Sequence, residues 1–151
     1  MAVLSDQAVA DELAIRQLTA AYADAVTRRG RDEFAALWAE DGRWEVPGLA
    51  DTVGGEAAAD QLLKVVEDME LLIQQLHGGQ IWVDGDSARA RWYIAELGRL
   101  NDGRGIHVAG VYEDELVRTE AGWRFARRHF EFLYRGFADM PGKVYPFPPL
   151  D

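Results

Sequence analysis

After Met69 the character of the chain changes from mainly helices to strands, and that change restricts what it can fold into. Before it, apolar residues recur at helical spacing. Val9, Leu13, Ile15, Leu18, Tyr22 and Val26 follow Ser5-Asp6, which predicts a capped helix over 6–28, closed by Arg28, Arg29 and Gly30. Phe34, Leu37 and Trp38 predict a second, short helix over 32–39. Asp41-Gly42 reads as a turn into a short strand, Arg43 to Val46, that Pro47-Gly48 stops. Ala58, Leu62, Val65 and Val66 predict a third helix over 56–68.

Beyond Met69 the signals are those of strands. Asp84-Gly85-Asp86 separates IWV from SARARWYIAEL, a hairpin signature. Residues 98–105 form a glycine-rich loop, and HVAGVYEDELV and GWRFARRHFEFLY are two further strands joined at Arg118–Ala121. Pro141 to Asp151 holds four of the five prolines and is expected to lie as a tail on the domain. Helices first and a meander afterwards mean α+β, with the helices against one face of a curved sheet.

Composition narrows the function. A chain of 151 residues is one domain's worth, and its 16 basic against 26 acidic side chains leave a net charge of −10. Nucleic acid and anionic membranes both demand a basic face, so neither is an expected partner. Cysteine is absent, which excludes disulfides, thiolate nucleophiles and thiolate metal sites. No apolar run is long enough for a membrane span. The first residues lack the basic start and apolar run of a signal peptide, so a cytoplasmic location is expected. The three histidines show no H-x-H or H-E-x-x-H spacing, so no metal is expected. No phosphate-binding glycine loop and no G-x-S-x-G occur either. What is abundant is aromatic surface: five Trp, five Tyr and six Phe, which fill a core or wall a cavity.

Residue parity divides the strands into faces. A two-residue hairpin loop sets Val83, Ile81 and His77 beside Ala88, Ala90, Trp92, Ile94 and Glu96, a face that is apolar except for one imidazole and one carboxylate. Arg89, Arg91, Trp82 and Tyr93 then face outward. A bulge at Gly78-Gly79 would flip part of this assignment. His77 is thus either a satisfied core histidine or a pocket base, and Glu96 either a strand-end residue in water or its partner. In the second hairpin, Arg118 pairs with Trp123, Leu116 with Phe125, Asp114 with Arg127 and Tyr112 with His129. The opposite charges support that register.

The strings IRQLTAAYADAV, FAALWAEDGRWEVPG, VDGDSARARWY and VYEDELVRTEAGWRFARR resemble the SnoaL-like group of the nuclear-transport-factor-2-like superfamily. The resemblance covers about residues 10–135. It implies a cone-shaped half-barrel around a pocket, with a single domain over 1–135 and a proline-rich tail over 136–151. It also implies a cofactor-free lyase or isomerase, dehydratase-like, acting on a hydrophobic carbonyl-bearing small molecule.

By that resemblance His77 transfers the proton and Tyr22 or Tyr112 polarises the substrate oxygen; Glu96, from its place on the same face, is expected to orient His77. Trp44, Trp92, Tyr112 and His129 line the substrate. Catalytic relatives often carry an aspartate five residues after the helix tyrosine, and here that position is Thr27. The departure leaves open an alternative, a non-catalytic small-molecule-binding or assembly domain of the same fold. The outward Trp82, Arg89, Arg91 and Tyr93 make a homodimer the expected assembly.

Overall fold

The computed structural model describes residues 3–149. Helix α1 spans Asp6–Arg28 and α2 Arg31–Ala35; strands β1 (Trp38–Val46) and β2 (Ala50–Val53) follow. Helix α3 (Gly55–Val66) leads into four long strands, β3 (Met69–Asp84), β4 (Ser87–Leu100), β5 (Gly105–Thr119) and β6 (Gly122–Ala138). They build one six-stranded sheet in the order β2-β1-β6-β5-β4-β3. All neighbours are antiparallel except β1 and β6. This is the expected α+β half-barrel, curved and unclosed, with the helices at the concave side. Among the described residues no helix is long and apolar enough to cross a membrane.

Helix α1 starts as its sequence dictates: the Ser5 hydroxyl accepts the Ala8 N–H, satisfying an otherwise free donor of the first turn. It ends on Arg29 in the left-handed conformation (φ 59°) rather than on Gly30. The Arg29 guanidinium donates to the Met69 carbonyl, which ties the end of α1 to the start of β3. Ile15, Leu18, Tyr22 and Val26 form the buried stripe of the helix and enter the core with Phe34, Trp38, Trp44, Leu62 and Phe125.

The second helix is shorter than its apolar pattern suggests. Trp38 already pairs with Phe125, so β1 begins there and Asp41-Gly42 lies in a bulge of that strand instead of a turn before it. Gly42 is needed at that point, because a Cβ would sit 2.6 Å from the Phe125 carbonyl. The glycine-rich segment is a loop only over 101–104: β4 runs to Leu100 and β5 restarts at Gly105. Strand β6 continues to Ala138, and from there to residue 149 the chain has no helix or strand. Arg99 donates to the Met140 and Gly142 carbonyls at its start.

Three irregularities decide which side chains face inward. The β3–β4 ladder keeps the expected register from Asp84↔Ser87 to Gly79↔Trp92 and then slips, giving Leu76↔Ile94 and Gln74↔Glu96. In the β5–β6 ladder, Arg118↔Trp123 and Leu116↔Phe125 are as expected. Past a shift between Glu115 and Leu116, Asp114 faces Arg128 and Tyr112 faces Phe130. A third shift between Ala109 and Gly110 sets Gly110 against Phe132 and Val108 against Arg135. Each extra residue turns the side chains beyond it to the other face.

Candidate active site

The open end of the cone holds a cavity of about 240 Å³ between α1, α3 and the concave face of the sheet. Its wall is hydrocarbon and aromatic: Val26, Trp44, Leu62, Val66, Leu72, Val108, Phe130 and Phe132 all contribute. Gly110 makes room for this wall, since the Phe130 ring would lie 2.0 Å from a Cβ there. The polar groups in the lining are few: Tyr22, Tyr112, Gln74 and Glu96, with Asp68 and Arg135. Asp68 and Arg135 are exposed, which sets them at the mouth.

The inner polar groups form one connected chain. Tyr22 Oη lies 3.1 Å from Tyr112 Oη, and Gln74 Nε2 donates to Tyr112 Oη at 3.3 Å and to Glu96 Oε1 at 2.8 Å. The backbone of Gln74 is itself fixed, its N–H donating to Thr27 Oγ1 at 3.0 Å. Thr27 therefore spends its oxygen on β3, and the amide of Gln74 occupies the inward position facing Glu96.

Burial sets the protonation states. It pushes the Glu96 carboxyl above its ordinary value, against the opposing pull of the Gln74 hydrogen bond and the Arg135 charge. Burial likewise pushes the Tyr112 hydroxyl up to about 12 and the Tyr22 hydroxyl well above its usual value. Both phenols are hydrogen-bond donors throughout the neutral range.

Beneath this chain lies a buried ion pair. Arg128 and Asp114 share two hydrogen bonds, each 2.8 Å, with both side chains fully inaccessible to solvent. The Arg128 guanidinium stacks 4.1 Å from the Tyr112 ring centre and 4.2 Å from those of Tyr22 and Phe125. Its Nη1 has no hydrogen-bond partner among the described residues, so these ring faces are its neighbours instead. The cation anchors both phenols from below.

Of the residues singled out in the sequence, Tyr22, Glu96, Trp44 and Tyr112 come together around the cavity. Three do not. His77 is exposed, because the slip between Leu76 and Gly79 turns it to the outer side of β3 and brings Gln74 inward. His129 is on the outer face for the corresponding reason: it lies opposite Glu113, with Nε2 2.6 Å from Glu131 and Nδ1 3.6 Å from Glu45. Trp92 is buried but outside the cavity lining, packed on Gly79 and under the Arg16 guanidinium at 5.6 Å. His107 is also exposed, so no histidine borders the cavity. Trp82 and Tyr93 do face outward, as parity implies.

Gln74 and Arg128 are the residues that sequence reasoning missed. The signal for Gln74 was the Gly78-Gly79 pair, a place where a ladder readily slips. For Arg128 there was only a run of three polar residues, Arg127-Arg128-His129, in which a one-residue shift changes the member that enters the core. Among the described residues no group of three or more His, Asp or Glu side chains is placed to hold a metal ion.

Known proteins match both sequence and fold. Gamma-hexachlorocyclohexane dehydrochlorinase from Sphingobium indicum is 28% identical over 126 residues, 80% of each chain. The crystal structure of LinA has a TM-score of 0.81 at 25% identity, covering 93% of this chain and 96% of that one. A proposed aromatic ring hydroxylase from Novosphingobium aromaticivorans has a TM-score of 0.80 at 30% identity, covering 86% and 94%. These relatives carry different activities by name, so the shared fold does not settle the chemistry. A family model described as a SnoaL-like domain matches residues 7–129, and the chain belongs to that family.

Proposed function

We propose that this chain is a cofactor-free lyase that removes a proton from a hydrophobic, carbonyl-bearing small molecule, with Glu96 as the base. The observation that carries this reading is the position of Glu96: among the described residues it is the one carboxylate in the cavity lining away from the exposed mouth, bonded to Gln74 and on the same polar chain as two protonated phenols. A carboxylate raised by burial is a stronger base than one in water. Dehydrochlorination, the activity named for the Sphingobium relative, is also an elimination, in which a proton and a chloride leave.

In the step proposed, a Glu96 oxygen accepts the proton on the carbon next to the carbonyl. The electron pair of that C–H bond moves into the carbonyl as an enolate. One phenol of the Tyr22–Tyr112 pair donates a hydrogen bond to the oxygen that gains charge, while the other donates to its partner's hydroxyl. The enolate then expels a leaving group from the adjoining carbon, and the protonated Glu96 returns its proton to that group or to water. Gln74 is a positioning residue, holding Glu96 and Tyr112 in one geometry.

A second reading has its own support. The resemblance expects an acid at Thr27 and an inward histidine at His77, and neither is there: Thr27 is neutral and takes the Gln74 N–H, and His77 is exposed while Gln74 lines the cavity. That favours a domain that binds its ligand without transforming it.

Glu96→Gln separates the two, being isosteric and still able to accept from Gln74. Turnover of a substrate found by screening alicyclic and aromatic ketones should fall 10²–10⁴-fold while binding persists. A loss of less than about threefold would remove Glu96 as the base.

A further inference from the structure

Cross-strand register places four cavity-lining residues in one row. Gln74 on β3 faces Glu96 on β4, Glu96 faces Val108 on β5, and Val108 faces Arg135 on β6. All four border the cavity. Two strand spacings put the Glu96 and Arg135 backbones roughly 9.5 Å apart on the same face, with Val108 as an apolar step between them.

Arg135 is also uncommitted. Most other arginines of this acidic chain are spent, among them Arg128 on Asp114, Arg99 on Glu70 and Arg29 on the Met69 carbonyl, and of the arginines only Arg135 borders the cavity. Arg135 makes no hydrogen bond or ion pair among the described residues; its guanidinium lies 5.5 Å from the Phe132 ring centre, and its charge is felt at Glu96. A guanidinium at the mouth of an otherwise hydrocarbon cavity has a geometry suited to a planar anion. Asp68 is the competing charge at the mouth, and Glu96 the one within. An anion on Arg135 is kept from Glu96 by the Val108 step. The cavity, at about 240 Å³, is below the range of roughly 300–1,000 Å³ that holds drug-sized ligands, so the ligand is small.

We propose that Arg135 is a specificity residue that selects a small carboxylic acid, its carboxylate on the Arg135 guanidinium at the mouth and its alicyclic or aromatic body across Val108, with the reacting carbon at Glu96. The assignment of the reacting end rests on the lyase reading above; the assignment of the anion does not.

The test is binding of matched pairs by calorimetry at pH 7 and low salt: cyclohexanecarboxylate and 1-naphthoate, each against its primary amide. Wild type is expected to bind the acids at least tenfold more tightly than the amides, a preference that fades with added salt. Arg135→Gln should lose that preference through weaker acid binding, with the amides within about twofold of wild type. Arg135→Lys should keep part of it. Equal binding of acid and amide by wild type, a preference that survives in Arg135→Gln, or no acid binding at millimolar concentration would each overturn the proposal. In Glu96→Gln the acid preference should persist or grow. If that variant retained turnover, the base assignment would fail while the anion site stood.

Discussion

Gln74 and Glu96 meet across β3 and β4, Nε2 to Oε1 at 2.8 Å, and they do so only because the ladder slips between Leu76 and Gly79. Without that slip His77 would share the inner face and Gln74 would lie outside. One extra residue thus replaces an imidazole by a neutral amide in the cavity lining.

The first prediction concerns the cost of keeping Glu96 there. Its carboxyl is raised in the folded state above the ordinary 4.5, chiefly by burial. The folded chain therefore binds more protons than the unfolded one above that pH, and stability declines as pH rises through the unfolded value towards the folded one. Glu96→Gln removes this penalty. Its melting temperature should exceed that of wild type at pH 7–8 and converge with it near pH 4, in calorimetric scans across that range. A stabilised but inactive variant is the expected signature of a functional site.

A second prediction follows from the buried pair. Arg128→Met leaves Asp114 buried without its counter-charge, and Asp114→Asn leaves the guanidinium so. Breaking a buried pair from one side costs about 3–5 kcal/mol. The double replacement removes both charges and should cost less than the sum of the singles, read as a favourable coupling in urea denaturation. Strict additivity would mean that the two side chains do not sense each other.

What could be read from the sequence was local. The α1 cap, the Asp84–Ser87 turn and the pairing of Arg118 with Trp123 each depend on a few adjacent residues, and the structure has all three. The inward side of Glu96 was also legible, because parity holds along β4, while Tyr22 and Tyr112 came from the resemblance; both line the cavity with it. The inward faces of β3 and β6 were not. There the ladder shifts by a residue, and only packing across the sheet decides whether Gln74 or His77, Arg128 or His129, enters the core. A bulge has a weak local signal and a long reach.

The third prediction tests how α1 is fastened to the sheet. Asp11, nearly buried on α1, accepts two bonds from Arg118 (2.7 and 2.9 Å) and one from Trp123 Nε1 (3.2 Å). The Arg118 bonds, helped by Trp123 and Gln7, hold its carboxyl at about 2 against an ordinary 3.8. A depressed carboxyl contributes stability above its unfolded value and loses it as pH falls towards the folded one. Wild type should therefore exceed Asp11→Asn by about 1–2 kcal/mol at pH 6, discounted because Arg118 is a third exposed. The gap should close between pH 4 and pH 2, followed by acid titration of the circular-dichroism signal. A gap independent of pH would assign the effect to packing rather than charge.

The last prediction addresses the bulge itself, through two adjacent glycines that the sequence cannot distinguish. A Cβ at Gly78 would meet nothing within 4 Å. At Gly79 it would lie 2.1 Å from the Arg91 carbonyl and 2.5 Å from the Trp92 ring, which is buried and has no room to retreat. Gly78→Ala should leave stability within about 0.5 kcal/mol of wild type, as an exposed substitution does. Gly79→Ala should cost about 1–3 kcal/mol or more, as overpacking does. It should also loosen the β3–β4 ladder, with faster amide exchange at Gln74 and Leu76. If Gln74 presents Glu96 to the cavity, that loosening reaches the site: in a folded Gly79→Ala chain, the Glu96 carboxyl should titrate higher than in wild type as the Gln74 bond that lowers it weakens. An unchanged Glu96 titration in a measurably loosened ladder would show that Gln74 holds its place without the bulge.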